Sequence, residues 1–160
     1  WLNRGGPWAQ VLGRWSAYVT FSAQTGTPLT ARVLSSAVDV ARGINGTLRA
    51  DLTGEPVALD DPSAQRFFNT AAFSAPKPGS FGSAGRNVIV GPGSRDLSVQ
   101  VTRDVPAGGT RTMSVQLRAS NVLNLVNYGT VDTVVNSPTF GQVLSVRSRR
   151  SMQLNIRVKF

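Results

Sequence analysis

Four carboxylates lie close together in the chain at Asp51, Glu55, Asp60 and Asp61, the nearest approach to a group that could hold a cation or share a proton. A calcium loop needs convergent oxygens at tighter, fixed spacing, so these four read as a solvated loop. Histidine and cysteine are both absent, which removes the usual zinc, haem and imidazole acid-base designs together with disulfides and thiol nucleophiles. Asn69-Thr-Ala-Ala-Phe73 offers an amide and a hydroxyl with no base to activate them. Gly82-Ser-Ala-Gly85 and Gly91-Pro-Gly93 lack the Lys-Ser/Thr that completes a phosphate loop. Asn45-Gly-Thr47 fits the glycosylation acceptor pattern, which carries weight only in a glycosylating secretory context. No catalytic constellation is assembled and no cofactor is implied, so an enzyme is not expected.

Charge offers a second kind of chemistry. The formal net charge is +9, and because lysine occurs only at positions 77 and 159, arginine supplies nearly all of the 17 basic residues. Arg147, Arg149 and Arg150 form a patch able to meet phosphate on nucleic acid or on lipid head groups. Nucleic-acid binding would call for aromatics interleaved with the basic residues, whereas Ser, Thr and Gln accompany them here. The expected partner of this charge is anionic glycolipid and not nucleic acid.

The elements that must carry these residues are strands of period two. In the last ten residues Met152, Leu154, Ile156, Val158 and Phe160 alternate with Ser151, Gln153, Asn155, Arg157 and Lys159. Three other segments repeat the pattern. Val11, Gly13, Trp15, Ala17, Val19, Phe21 and Ala23 oppose a row that includes Arg14, Ser16, Thr20 and Ser22; Leu97, Val99, Val101 and Val105 oppose Ser98, Gln100, Thr102 and Asp104, with Arg103 interrupting the apolar row near a turn. Met113, Val115, Leu117 and Ala119 oppose Ser114, Gln116, Arg118 and Ser120. Each row spans roughly the 9 to 11 residues with which a tilted strand crosses a bilayer. An apolar row against lipid and a polar row against a wet lumen explain the pattern, with Arg14, Gln100, Arg118, Arg157 and Lys159 facing the lumen. Water on one side of a soluble sheet would leave the same alternation, so a soluble all-β surface or ligand-binding module is the alternative.

The connections alternate in length. Asp104-Val-Pro-Ala-Gly-Gly-Thr110 is a compact turn, whereas about 25–93 and 124–146 are long loops, the first holding Phe67, Phe68, Phe73 and Phe81 as possible anchors. Within it Gly43-Ile-Asn-Gly46 reads as a turn and Asp61-Pro-Ser-Ala-Gln-Arg-Phe-Phe68 as one short helical turn with Asp61 as cap and Pro62 as first residue. In outer-membrane barrels the short turns are periplasmic and the long loops external. The strands are expected at about 10–24, 94–105, 111–123 and 147–160, too few to close a barrel. Trp1 to Trp8 shows neither an initiator methionine nor a signal peptide, so on the membrane reading residue 1 is expected to lie inside a longer precursor.

An ordered series of motifs adds to this. Trp15, Thr25-Gly-Thr-Pro-Leu-Thr30, Arg66-Phe-Phe-Asn-Thr-Ala-Ala-Phe73, Pro78-Gly-Ser-Phe-Gly-Ser-Ala-Gly-Arg-Asn87, Gly91-Pro-Gly93, Leu97-Ser-Val99, Leu117-Arg-Ala-Ser-Asn-Val-Leu-Asn124, Phe140-Gly141 and Phe160 resemble the carboxyl-terminal barrel region of Oar-like TonB-dependent outer-membrane receptors. The likeness spans nearly all of 1–160. It implies an all-β fold, the C-terminal segment of a large antiparallel transmembrane β-barrel, whose plug and amino-terminal domains lie outside this chain. It also implies that Leu154, Ile156, Val158 and Phe160 match a barrel-assembly signal read by the insertion machinery. The implied partners are outer-membrane lipid and lipopolysaccharide, the barrel assembly machinery, the remaining strands and plug of the parent, and the TonB system only through that plug.

Overall fold

The computed structural model describes residues 13–34, 48–147 and 149–160. The start of the expected first strand, the Gly43–Gly46 turn and the Asn45-Gly-Thr47 pattern lie outside them. The described chain is all-β: β1 (Trp15–Gln24), β2 (Pro28–Leu29), β3 (Arg32–Val33), β4 (Leu48–Arg49), β5 (Asp51–Leu52), β6 (Phe73–Ser74), β7 (Ile89–Val90), β8 (Ser94–Pro106), β9 (Thr112–Ser120) and β10 (Ser151–Lys159). A single 3-10 turn, Thr70–Ala72, interrupts them. Two compact units form, one holding the four long strands and the other built from the described parts of Gln24–Ser94 and Val126–Arg147.

The first unit is a four-stranded antiparallel sheet in the order β1-β8-β9-β10. Between β8 and β9 the turn closes through Ala107 N–H to the Arg111 carbonyl (3.0 Å) and Arg111 N–H to the Gly108 carbonyl (3.2 Å). Gly108 and Gly109 take φ values of 87° and 61°, a region where a side chain would be strained, so this glycine pair makes the reversal possible. β9 stops at Ser120, short of the expected 123, because Asn121 turns left-handed (φ 48°) and its buried amide bonds both the carbonyl and the N–H of Leu125 (2.9 and 3.0 Å). β10 begins at Ser151, not at 147, since Arg147 N–H is bonded to the Asn127 carbonyl (2.7 Å) and belongs to the other unit.

That second unit has its own core of Ala31, Ala50, Phe68, Ala72, Phe73, Ala84, Ile89 and Val131. Its ladders are only two residues long, and the alanines let backbones meet: Ala50 N–H bonds Ala31 O (3.2 Å) and Ala84 N–H bonds Ala50 O (2.9 Å). Phe68, Phe73 and Phe140 pack edge to face with ring centres 5.2 to 6.2 Å apart. The expected helical turn at Asp61 does not form. There Ser63 N–H donates to Arg66 O (2.9 Å), the reverse of the helical direction, and the turn appears instead where Asn69 caps it by accepting from Ala71 N–H (3.2 Å). Asn69 is buried and also receives Arg66 Nη2 (3.0 Å) while donating to Pro56 O (2.8 Å).

Asp132 is the other polar hub of this unit. Its carboxylate accepts from Val134 N–H (2.9 Å) and from the Thr139 hydroxyl (2.6 Å). Burial by itself pushes its pKa up, but the Ser137 and Thr139 hydroxyls, the Val134 amide and the positive charge of Arg32 outweigh this and hold it below the ordinary value. Because the folded value is the lower one, its contribution is complete above about pH 4 and is lost as pH falls through the folded pKa. The protection of the Val134 amide against hydrogen exchange, taken relative to its intrinsic rate at each pH, should accordingly fall on acidification below about pH 4 in the native protein. Asp132→Asn should start less protected and change less with acid; an equal acid response in both would assign the effect elsewhere.

Candidate membrane wall

Register shows which side chains share a face. β8 pairs β9 with Val99 opposite Ala119, Val101 opposite Leu117, Arg103 opposite Val115 and Val105 opposite Met113. β10 continues each row, placing Met152 against Ala119, Leu154 against Leu117, Ile156 against Val115 and Val158 against Met113. Directly opposed residues of an antiparallel pair point to the same side, so the three apolar rows merge into one face. The polar rows merge equally on the other. Gln100, Arg118 and Gln153 lie in line, as do Thr102, Gln116 and Asn155, and Asp104, Ser114 and Arg157. A one-residue slip would have mixed the two sets.

Hydrogen bonds tie the polar face across strands. Arg118 donates from Nε (3.2 Å) and Nη2 (3.0 Å) to Gln100 Oε1, and the Ser114 hydroxyl donates to the Asp104 carboxylate. Lys159 lies opposite Thr112 at the same end as the short turn. Arg14 departs from the expectation: it has φ 61° and precedes β1, so strand alternation does not set its side, and its carbonyl instead accepts Asp104 N–H (3.2 Å). That bond, with the close approach of Gly93 to the Gln24 carbonyl at the other end, runs β1 antiparallel to β8.

Among the described residues, the apolar side chains of the sheet are left open or half-buried. Leu154 is 64% exposed and Ile156 62%, Val19 and Phe21 are similarly open, and not one apolar residue of the four strands is buried. A soluble module would hide these valines and leucines in an interior of its own, and this sheet does not. In water such a contiguous face is an aggregation surface; in hydrocarbon it is the low-energy arrangement. Backbone argues the same way. Among the described residues β1 and β10 are each bonded along one edge only, and unpaired amides in a bilayer cost several kcal/mol per group, so four strands are an arc of a larger closed wall.

The charge that interrupts the apolar row is accounted for by position. Arg103 lies near the short turn with its guanidinium 5.2 Å from the centre of the Trp15 ring, and Arg111 lies 5.5 Å from that of Phe160. Cations and amphipathic rings gathered at one end of a sheet mark the level where hydrocarbon gives way to head groups. An arginine in an apolar row beside a turn was the available sign of this. Phe160 itself is 90% exposed and follows β10, while Leu154, Ile156 and Val158 occupy the apolar face.

Among the long-loop aromatics, Phe68 and Phe73 are core residues and Phe67 packs against the core with its ring 6.3 Å from Tyr128. Phe81 is not an anchor. It is 71% exposed, because the chain is held one residue later: a Cβ on Gly82 would lie 2.0 Å from the Arg49 carbonyl oxygen, so backbone meets backbone there and the ring is left outside. Asp51 accepts Ser83 N–H (2.7 Å), tying β5 to the Gly82 segment. Phe140, in the core beside Phe68, was not among the expected anchors.

No curated protein and no solved structure matches the chain. A family model described as the outer membrane beta barrel domain matches residues 1–153. The match agrees with a sheet whose two faces require different solvents and whose edges require further strands, and it places the protein in the bacterial outer membrane as part of a barrel wall. On both grounds the chain belongs to the outer membrane beta-barrel domain family.

Proposed function

We propose that this wall belongs to a TonB-dependent outer-membrane receptor, similar to the Oar-like group, and that the chain supplies part of its barrel and external loops and no enzymatic activity. The observation that carries this is the second unit. Segments on either side of β8 and β9 build one shared core, as a receptor needs if its loops are to present a defined surface and not a pair of loose connections. The motif series along the chain supports the same assignment.

In this reading the polar face, with Gln100, Arg118, Arg157 and Lys159, borders the hydrated lumen and its plug, and energy reaches the barrel from the TonB system through that plug alone. The apolar face meets lipid. Exposed Arg149 and Arg150, just ahead of β10, meet the phosphates of lipopolysaccharide, and Leu154, Ile156, Val158 and Phe160 are read by the assembly machinery during insertion. The substrate is a molecule captured by the loops.

Because the chain contains no cysteine, single cysteines can be read without interference. In intact cells expressing the full-length protein in a cysteine-free background, Phe81→Cys should react with a membrane-impermeant maleimide, whereas Ala107→Cys should react only after the outer membrane is opened. The opposite pattern would invert the wall and remove the receptor assignment.

A further inference from the structure

An open depression of about 730 Å³ on the loop unit is lined by Arg32, Arg49 and Arg86 together with Thr30, Asn87 and Thr130. Three arginines and four residues with neutral hydrogen-bonding side chains are among its lining residues, and no acidic residue is. Arg32 and Arg49 are direct cross-strand partners in the β3–β4 ladder. Like charges opposed in this way disfavour strand pairing, so the arrangement is one that folding alone would not select. Arg32 is fixed from its other side as well, its N–H bonded to Thr133 O (3.0 Å) and its carbonyl to Val135 N–H (2.9 Å). The carboxylate whose field Arg32 feels, Asp132, is buried and engaged by Val134 and Thr139.

The third arginine is placed with comparable care. Asn87 adopts φ 62°, a left-handed conformation that asparagine tolerates better than most residues, and its N–H bonds Thr30 Oγ1 (2.9 Å). That turn keeps Arg86 at the edge of the depression. Guanidinium groups recognise multi-oxygen anions through paired, charge-assisted hydrogen bonds, and hydroxyls and amides complete such a shell.

We propose that this depression binds a phosphate-ester oxyanion, carried either by a soluble ligand or by a lipid head group. Binding would offset the repulsion between Arg32 and Arg49 and so couple occupancy to the stability of the loop unit. The site stands on the geometry of that unit; only its exposure to the cell exterior rests on the receptor assignment.

The test titrates the full-length protein, in neutral detergent, with inorganic pyrophosphate and follows both the heat of binding and the thermal midpoint of the loop unit. Saturable binding that weakens steeply with salt is expected, with Arg49→Gln and Arg86→Gln each lowering affinity about tenfold and Lys77→Gln, outside the depression, leaving it unchanged. Without anion, Arg49→Gln should raise the thermal midpoint, because one of the opposed charges is gone; an arginine kept for structure alone would lower it. Wild-type affinity in both Arg49→Gln and Arg86→Gln overturns the proposal, as does absence of pyrophosphate binding.

Competition separates the sources. Displacement of pyrophosphate by phosphorylated lipid A, and not by its dephosphorylated form, assigns the head group; binding without displacement by either assigns a soluble phosphate ester. Pyrophosphate binding together with reversed maleimide labelling would retain the site and remove the receptor. External labelling without pyrophosphate binding would do the reverse.

Discussion

Replacing Val101 by arginine should cost the full-length protein about 2–4 kcal/mol of stability in a bilayer, while Thr102→Arg, one residue along the same strand, should change it by no more than about 0.5 kcal/mol. Val101 is mid-strand in β8, in line with Leu117 of β9 and Leu154 of β10, so a guanidinium there is driven into hydrocarbon with no acidic partner in its row. Thr102 is in line with Gln116 and Asn155, where water and amides can solvate the charge. Urea titration of the protein folded into phospholipid vesicles measures both. Equal losses would mean that the two faces see the same medium, and the membrane assignment of the apolar face would not survive.

A second large effect is expected in the other unit. Phe68 is 2% exposed and sits between Phe73 and Phe140, so Phe68→Ala removes the centre of the aromatic cluster and should cost the loop unit about 3–5 kcal/mol. The four-stranded sheet forms a compact unit of its own. Hydrogen exchange should therefore show lost protection at Ala50, Ala84 and Phe67, whose N–H groups bond within the unit, while β8 and β9 keep theirs. Loss of protection in β8 and β9 to the same degree would show one cooperative body in place of two.

The wall was legible in the sequence because its physics is local and periodic. Once lipid and water are assigned to opposite sides, every second residue is constrained, and the Gly108-Gly109 turn sets the register that makes the rows of β8 and β9 coincide. The loop unit was far less legible. Strands of two residues carry no period, and what holds them together is backbone meeting backbone across long separations, as where a Cβ on Gly26 would fall 1.7 Å from the Gly91 carbonyl oxygen. Composition shows that such glycines are present, not which partners they approach.

The same logic explains particular departures. An Asp-Pro pair looks like a helix start, but Asn69 provides the cap that is used, because its buried amide also closes bonds to Arg66 and Pro56 that no local rule anticipates. Phe81 looked like an anchor by residue type alone. Its neighbour Gly82 is what holds the segment, and a ring adjacent to a tight backbone contact is free to point away. Arg14 was read by extending an alternation one residue past the point where φ turns positive.

The long connections meet through partners remote in the chain: Arg32 with Thr133, Phe67 with Gly141, Ala64 with Val143. Contacts of such high order are slow to form, since the entropy of closing each loop is lost before any bond compensates for it. Until the stretch after β9 arrives, Phe68 and Phe73 lack the Phe140 ring that completes their cluster. Docking of the two connections is therefore what completes the core of the loop unit.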